Sequence, residues 1–182
     1  MKNLILILLT ALTLSCCNKD DGKPIIEIDK LPPATQTGSN KIGCLANNQA
    51  LLPKGAGITY NCFYQHLADG KHFVIVFDNK SNDLDKSIAI GIHLTELIQG
   101  QTYQLRANLG SNVVSKYATY LISTNQGGID YSTTNLNVGE MKISKLDPNK
   151  QIISGTFWFD AINQNGEKVE VREGRFDMIY SL

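Results

Sequence analysis

Short runs of alternating apolar and polar residues fill the chain from Lys41 onward, and turn residues separate them. Glycine, asparagine and aspartate supply most of these turns, whereas no stretch keeps apolar residues at i, i+3 and i+4 for long. This pattern is typical of a single antiparallel all-β domain, and its spacing is that of a β-sandwich or a barrel-like sheet. The predicted strands are residues 42–46, 58–64, 72–78, 87–95, 102–107, 117–123, 128–133, 140–146, 151–162, 167–172 and 175–180.

The hairpin formed by the third and fourth predicted strands has a pattern that fixes its register. If the numbers of opposed residues sum to 165, all pairs of large apolar side chains fall on one face, and a shift of one residue would divide them between both faces. The pairs on that face, which we predict to be core, are Phe73–Ile92, Ile75–Ile90 and Phe77–Ile88. The same register places His72 opposite His93 on the other face.

The C-terminal part has the strongest strand pattern. Residues 151–162 place Phe157 and Phe159 on one face and Trp158 on the other. Asn165-Gly166 is a strong hairpin signal, so the next strand should return antiparallel to this one. Glu173-Gly174 is interpreted as a further turn before residues 175–180.

The first residues of the chain have the composition of an export signal. Lys2 is followed by an apolar stretch over residues 4–14, which is too short to cross a membrane as a helix and is typical of a secretory signal. Leu12-Thr13-Leu14-Ser15-Cys16 then resembles a bacterial lipobox, in which a small residue precedes the lipidated cysteine. We therefore predict a signal peptide over residues 1–15 and lipidation of Cys16. One alternative is lipidation of Cys17, and a second alternative is an ordinary signal peptide that is followed by cysteines without a lipid.

The segment after Cys16 predicts where the anchor is displayed. Lys19-Asp20-Asp21 resembles the export signal by which flavobacterial-type lipoproteins reach the outside of the outer membrane. The expected location is the outer membrane with exposure at the cell surface, and the inner leaflet is the alternative. Residues 16–40, with Pro32-Pro33 and a polar run after them, are predicted to be a flexible tether between the lipid and a β-domain over residues 41–182.

Charge and length limit the function classes. The 182-residue chain has 17 basic and 17 acidic residues, and removal of Lys2 with the signal leaves the mature chain with a net charge of −1. A nucleic-acid-binding domain would carry a basic excess, so no nucleic-acid partner is expected. The expected partners are the membrane, through the lipid, and a glycan or a protein.

Cys44 and Cys62 lie within the predicted domain. The envelope is oxidising, so a disulfide between them is permitted, and burial of two free thiols is the alternative. Their spacing does not suit zinc, which favours pairs of closely spaced ligands.

Three groups of motifs together resemble a family of small flavobacterial-type lipoproteins whose function is not established. They are residues 31–38 (LPPATQTG) with Gly43-Cys44-Leu45; residues 143–147 (ISKLD); and residues 152–157 (IISGTF) with residues 174–177 (GRFD). The resemblance covers most of the mature chain. It implies an envelope β-domain and no catalytic residues.

Candidate ligand contacts come from the aromatic residues. Trp158 and Tyr120, with neighbouring tyrosines, could pack against a sugar ring, although β-domains also bury such side chains in their cores. His72 and His93 could supply two metal ligands, but a zinc site needs three or four protein ligands. We therefore interpret the two histidines as a half-exposed polar pair. The loop that holds Asp78, Asn82, Asp83 and Asp85 could bind calcium, but turns favour these residues for backbone reasons.

The sequence predicts no catalytic residue, no metal and no cofactor. No G-x-S-x-G motif frames a serine, and paired glycosidase carboxylates have no sequence signature. The predicted function is therefore a lipid-anchored lipoprotein with a non-catalytic binding or structural domain. The alternatives are a carbohydrate-binding accessory protein and an envelope hydrolase.

Overall fold

The computed structural model describes residues 26–182, which form eleven β-strands and one short 3-10 helix, Glu27–Lys30. Cys16, Cys17 and the predicted signal peptide lie outside the described residues. The strands are β1 (Lys41–Ala46), β2 (Gln49–Leu51), β3 (Tyr60–Leu67), β4 (Gly70–Asn79), β5 (Asp85–His93), β6 (Thr102–Leu105), β7 (Ser115–Thr124), β8 (Gly127–Ser132), β9 (Gly139–Asp147), β10 (Ile152–Ile162) and β11 (Lys168–Ile179). The all-β prediction is confirmed.

Within residues 26–182, no helix has the length and apolar composition that a membrane crossing requires.

The strands form one antiparallel sheet that curves back on itself. Its order is β2-β1-β11-β10-β8-β7-β5-β4-β3, and β9 and β6 branch from β10. The sheet is not closed by a continuous ladder, but a single bridge joins Phe63 of β3 to Ser181, just after β11. The Tyr64 N–H donates to the Ser181 carbonyl at 2.9 Å, and the Ser181 N–H donates to the Cys62 carbonyl at 2.9 Å. The architecture is therefore barrel-like.

The predicted β4–β5 register is confirmed. Phe73 pairs with Ile92, and His72 pairs with His93, so opposed residue numbers sum to 165 along the whole hairpin. The apolar face of these strands is fully buried, as expected for the inner face of a curved sheet. It meets the inner face of β10 and β11, where the rings of Phe73 and Phe176 have centroids 6.4 Å apart.

Two details of the strands differ from the prediction. The sequence pattern did not predict β2, whose three residues are too few to show an alternation. The predicted strands over 167–172 and 175–180 are one strand, β11, because Glu173-Gly174 forms an irregularity in the ladder and not a turn. Glu173 has a positive φ of 55°, and a side chain on Gly174 would collide with the Phe157 ring, 2.5 Å from a Cβ at that position.

The second half of the predicted flexible tether lies on the domain. We call residues 35–39 the strap, because their N–H and hydroxyl groups donate to the carboxylate of Asp177, which is 1 % exposed on β11. The shortest of these bonds come from the Thr35 hydroxyl at 2.6 Å and the Gly38 N–H at 2.8 Å, and Ser154 of β10 donates at 2.7 Å. The folded unit thus begins before residue 41. The strap has little apolar surface to bury, but its polar groups supply the hydrogen bonds that a buried charge requires.

The electrostatics of Asp177 follow from these bonds. Burial alone would raise its pKa, but the hydrogen bonds from Thr35, Ser154 and the strap backbone outweigh burial and hold the pKa well below its usual range. The folded-state pKa is lower than that of the unfolded chain. The stabilisation is therefore present above the unfolded value of about 4 and is lost as the pH falls below it.

We expect Asp177→Asn to destabilise the domain by about 3 kcal/mol at pH 7, because the amide replaces an acceptor with a donor among several donors. Urea unfolding at pH 7 measures this change. The matched control is Asp130→Asn, an exposed carboxylate on β8, which should change stability by less than about 0.5 kcal/mol. Equal stability of the two variants would contradict the role given to the strap.

Candidate functional site

A groove with a cavity volume of about 580 Å³ lies on the outer face of β9, β10 and β11, beside β6. This volume is within the range of small-molecule and cofactor sites. We call it the Trp158 groove. The side chains that give it its chemistry are Trp158, Glu140, Lys142, Arg172, Glu173 and Arg175.

The floor of the Trp158 groove consists of two rows of residues that cross the strands. In the first row, Thr102, Lys142, Thr156 and Arg175 are opposed in turn across β6, β9, β10 and β11. In the second row, Gln104, Glu140 and Trp158 are opposed across β6, β9 and β10, and Gln104 lies beside the groove and not in its lining. Because residues two apart on a strand point to the same face, both rows present their side chains to one side of the sheet.

Hydrogen bonds fix the indole of Trp158 within its row. Its Nε1–H donates to Glu140 Oε2 at 3.3 Å, and the other oxygen of Glu140 accepts from Gln104 Nε2 at 2.6 Å. Trp158 is half-buried, whereas its neighbours Phe157 and Phe159 are buried on the inner face. The sheet therefore holds one aromatic side chain at the surface in a defined orientation.

A cation lies over the Trp158 ring. The guanidinium carbon of Arg172 is 5.5 Å from the ring centroid, a distance suited to a cation–π interaction. Asp160 orients this guanidinium through a 2.6 Å ion pair and also pairs with Lys168 at 2.8 Å. Burial acts to raise the pKa of Asp160, but the bonds from Lys168 and Arg172 outweigh it and lower the pKa.

This arrangement is suited to binding a polar molecule that has one apolar face. A half-exposed indole supplies apolar contact area, while carboxylate, amide, hydroxyl and guanidinium groups around it supply hydrogen-bond donors and acceptors. Both carboxylates of the groove already have partners, since Glu140 holds Trp158 and Glu173 pairs with Arg175 at 3.4 Å.

The structure separates the two aromatic residues that the sequence placed at a ligand site. Trp158 lines the groove, but Tyr120 is 4 % exposed and packs inside the sheet, its ring centroid 5.8 Å from that of Tyr131. Burial raises the pKa of Tyr120 to about 12. Of the two alternatives that the sequence left open for Tyr120, the structure shows packing in the core, because the β5–β7 register places it opposite Ile88 on the inner face.

Cys44 and Cys62 are both buried and both have free thiols in this structure, on β1 and β3. Burial raises the pKa of each thiol, so the reactive thiolate is disfavoured at neutral pH. Of the two alternatives that the sequence left open, the structure contains the buried free thiols.

The charged residues of the groove were not predicted. Glu140, Lys142 and Arg172 stand at alternate polar positions of strands, which the sequence alone shows only as an outer face. Their convergence on Trp158 depends on the β9–β10 and β10–β11 registers, and irregularities in both ladders shift those registers.

A family model for a domain of unknown function, DUF6252, matches residues 82–179, which is more than half of the 182-residue chain. The chain belongs to the DUF6252 family. No curated protein and no solved structure matches the chain. The matched part of this DUF6252 protein runs from the β4–β5 loop through β11, so it includes both rows of the Trp158 groove.

A second polar cluster of this DUF6252 protein lies on the outer face of β4 and β5. The Nδ1 atoms of His72 and His93 are 3.0 Å apart, and His72 Nε2 is 3.0 Å from Asp69 Oδ1. Both histidines are 8 % exposed, so they are a buried pair and not the half-exposed pair that the sequence suggested. The Tyr117 ring, centred 5.7 Å from that of His93, contributes to this burial.

Neither the His72–His93 pair nor the acidic residues around the β4–β5 loop have the arrangement of a metal centre. Within residues 26–182, no group of three or more His, Cys, Asp or Glu side chains is arranged to hold a metal ion. In the β4–β5 loop, Asp85 accepts from the Ser81 N–H at 3.0 Å and Asp78 accepts from the Ser87 hydroxyl at 2.6 Å. These acidic residues therefore stabilise the loop.

The histidine pair gives an acid sensitivity. Burial lowers the pKa of His93, and the charge on His72 lowers it further, because two facing Nδ1 atoms can share only one proton. The unfolded chain binds more protons than the folded one below the unfolded pKa of about 6.5, so stability falls as the pH falls through that value.

We expect urea midpoints to drop between pH 7.5 and pH 5.5, and we expect this drop to be smaller in His93→Asn. The matched control is His66→Asn, which replaces an exposed histidine of β3 and should keep the wild-type pH dependence. An unchanged drop in His93→Asn would show that the pair does not cause it.

Proposed function

We propose that this DUF6252 protein is a lipid-anchored envelope protein whose β-domain is a non-catalytic carbohydrate-binding module. The observation that carries the proposal is the half-exposed indole of Trp158 in the groove, held between Glu140 and Arg172. One face of a sugar ring is apolar, and its edge carries hydroxyl groups. An oriented aromatic ring surrounded by charged and amide side chains complements both features.

A binding role fits this groove better than catalysis. Glu140 is engaged by Trp158 and Gln104, so its carboxylate positions other side chains. Among the described residues that line the groove, none is a serine or a histidine. The groove thus offers recognition groups, and its two carboxylates already have structural partners.

The anchor belongs to the same proposal. Acyl chains such as palmitate on Cys16 would hold the protein in the outer membrane, and Lys19-Asp20-Asp21 supports display at the cell surface, as in flavobacterial-type lipoproteins. Several acyl chains on one residue hold a protein far more firmly than a single chain does. A module held at the surface in this way would bring glycans to the envelope.

Binding is tested by thermal shift of the full chain, purified in detergent, against a panel of oligosaccharides and polysaccharides. A ligand at about a hundred times its dissociation constant adds about 2.7 kcal/mol of stability, which raises the melting temperature measurably. We expect Trp158→Ala to reduce the affinity at least tenfold, because it removes the ring against which the sugar packs. Tyr60→Ala, which removes an exposed aromatic side chain of β3, is the control and should leave binding unchanged. If both variants lost the same amount of affinity, or if neither lost any, the groove would be rejected as the binding site.

The lipid anchor is tested by labelling cells with radioactive palmitate. We expect Cys16→Ser to abolish labelling and Cys17→Ser to retain it, because Ser15 supplies the small side chain that the lipobox needs before the modified cysteine. Protease treatment of intact cells then reports surface exposure. Labelling that is lost only in Cys17→Ser would move the anchor by one residue.

A further inference from the structure

A second groove adjoins the Trp158 groove and shares Thr102 with it. Its cavity volume is about 410 Å³, and it lies between β6, the start of β7 and the loops before β7 and after β8. We call it the Arg106 groove. The Arg106 N–H donates to the Lys116 carbonyl, which brings these two basic residues side by side on its wall. Leu109 and Val114 add apolar surface.

The side chains that line the two grooves include more basic than acidic residues. The whole chain is balanced, with 17 basic and 17 acidic residues, but no carboxylate lines the Arg106 groove. Among the described residues, Arg106 and Lys116 form no ion pair, and neither does Lys142 of the Trp158 groove. Three cationic side chains that form no ion pair therefore line the two adjoining grooves. They outnumber Glu140, the one carboxylate of this lining whose partners are uncharged, so the potential here is positive.

The geometry favours an extended ligand that crosses both grooves. Thr102, which belongs to both, begins the row that continues through Lys142 and Thr156 to Arg175. Neighbouring strands are about 4.8 Å apart, so this row across four strands is roughly 14 Å long. The Arg106 groove extends it further on the β6 side. A chain of several sugar rings would occupy such a path.

We infer that the ligand is an acidic glycan, whose carboxylate or sulfate groups are held by Arg106, Lys116 and Lys142 while one of its sugar rings packs on Trp158. The inference rests on the proposed carbohydrate-binding function and names the substrate class. Side chains with amide and hydroxyl groups, such as Gln104, Thr102 and Thr156, serve the hydroxyls between the charged groups. Single-stranded nucleic acids fit less well, because they are bound on several stacking aromatics, and Trp158 is the one aromatic side chain among the described lining residues of these grooves that is not buried.

The test uses pairs of polysaccharides that differ only in charge. Binding of the full chain in detergent is measured by isothermal titration calorimetry with polygalacturonate and its methyl-esterified form, and with dextran sulfate and dextran. We expect at least tenfold tighter binding of the acidic member of one pair, and weaker binding when the salt concentration is raised, because the charges are exposed. The pair that discriminates identifies the acidic group as carboxylate or sulfate.

Variants locate the charge contacts. We expect the double variant Arg106→Gln/Lys116→Gln to lose at least tenfold in affinity for the acidic glycan and to keep its melting temperature, since Arg106 is exposed, Lys116 is half-buried and neither forms an ion pair among the described residues. Lys150→Gln, which removes an exposed lysine from the β9–β10 turn, is the matched control and should bind as the wild type does.

The outcomes separate this inference from the proposed function. If neutral and acidic glycans bind equally and only Trp158→Ala weakens binding, the carbohydrate-binding function stands and the acidic specificity is rejected. If no glycan binds, both are rejected. If polythymidylate binds as tightly as the acidic glycan, the surface is a general polyanion site, and the inference is overturned.

Discussion

The hydrogen bonds to the buried carboxylate of Asp177 hold the segment before β1 against the C-terminal part of the sheet. Asp177 lies on β11, a strand paired with β1 on one side and β10 on the other, and it holds the strap against β11 and β10. A buried charge is tolerated only when donors surround it, and here all the donors except Ser154 come from residues about 140 positions earlier in the chain. The LPPATQTG, ISGTF and GRFD motifs meet at this one carboxylate.

The same part of the sheet supplies the candidate site. Ala34, which immediately precedes the strap, lines the Trp158 groove, and Arg175 of the groove stands two residues before Asp177 on the outer face of β11. The strap therefore covers one end of this face and leaves the other end open as a groove. The contact between the strap and Asp177 therefore also limits the surface that is available to a ligand.

The alternation of apolar residues was enough to predict most of the strands and the β4–β5 register, because a one-residue slip there would expose large side chains such as Phe73. It did not predict β2, and it divided β11 in two. The site was predicted only as far as Trp158. Its partner Glu140 lies opposite it in a ladder with irregularities, and sequence periodicity cannot locate those. The strap could not be predicted either, since hydrogen bonds to a distant carboxylate leave no periodic signal. The sequence left the face of Tyr120 open, because an aromatic residue in a strand has the same pattern on either face.

The strap also determines how the domain responds to mechanical tension. A pull on the chain from its N-terminal side reaches residues 35–39 before β1, and the bonds to Asp177 pass the load to β11. This strand of 12 residues is hydrogen-bonded along both edges, so the load is shared by many bonds at once. An attachment at an edge strand would instead open one bond at a time. A load on the N-terminal segment is thus passed to an interior strand of the sheet.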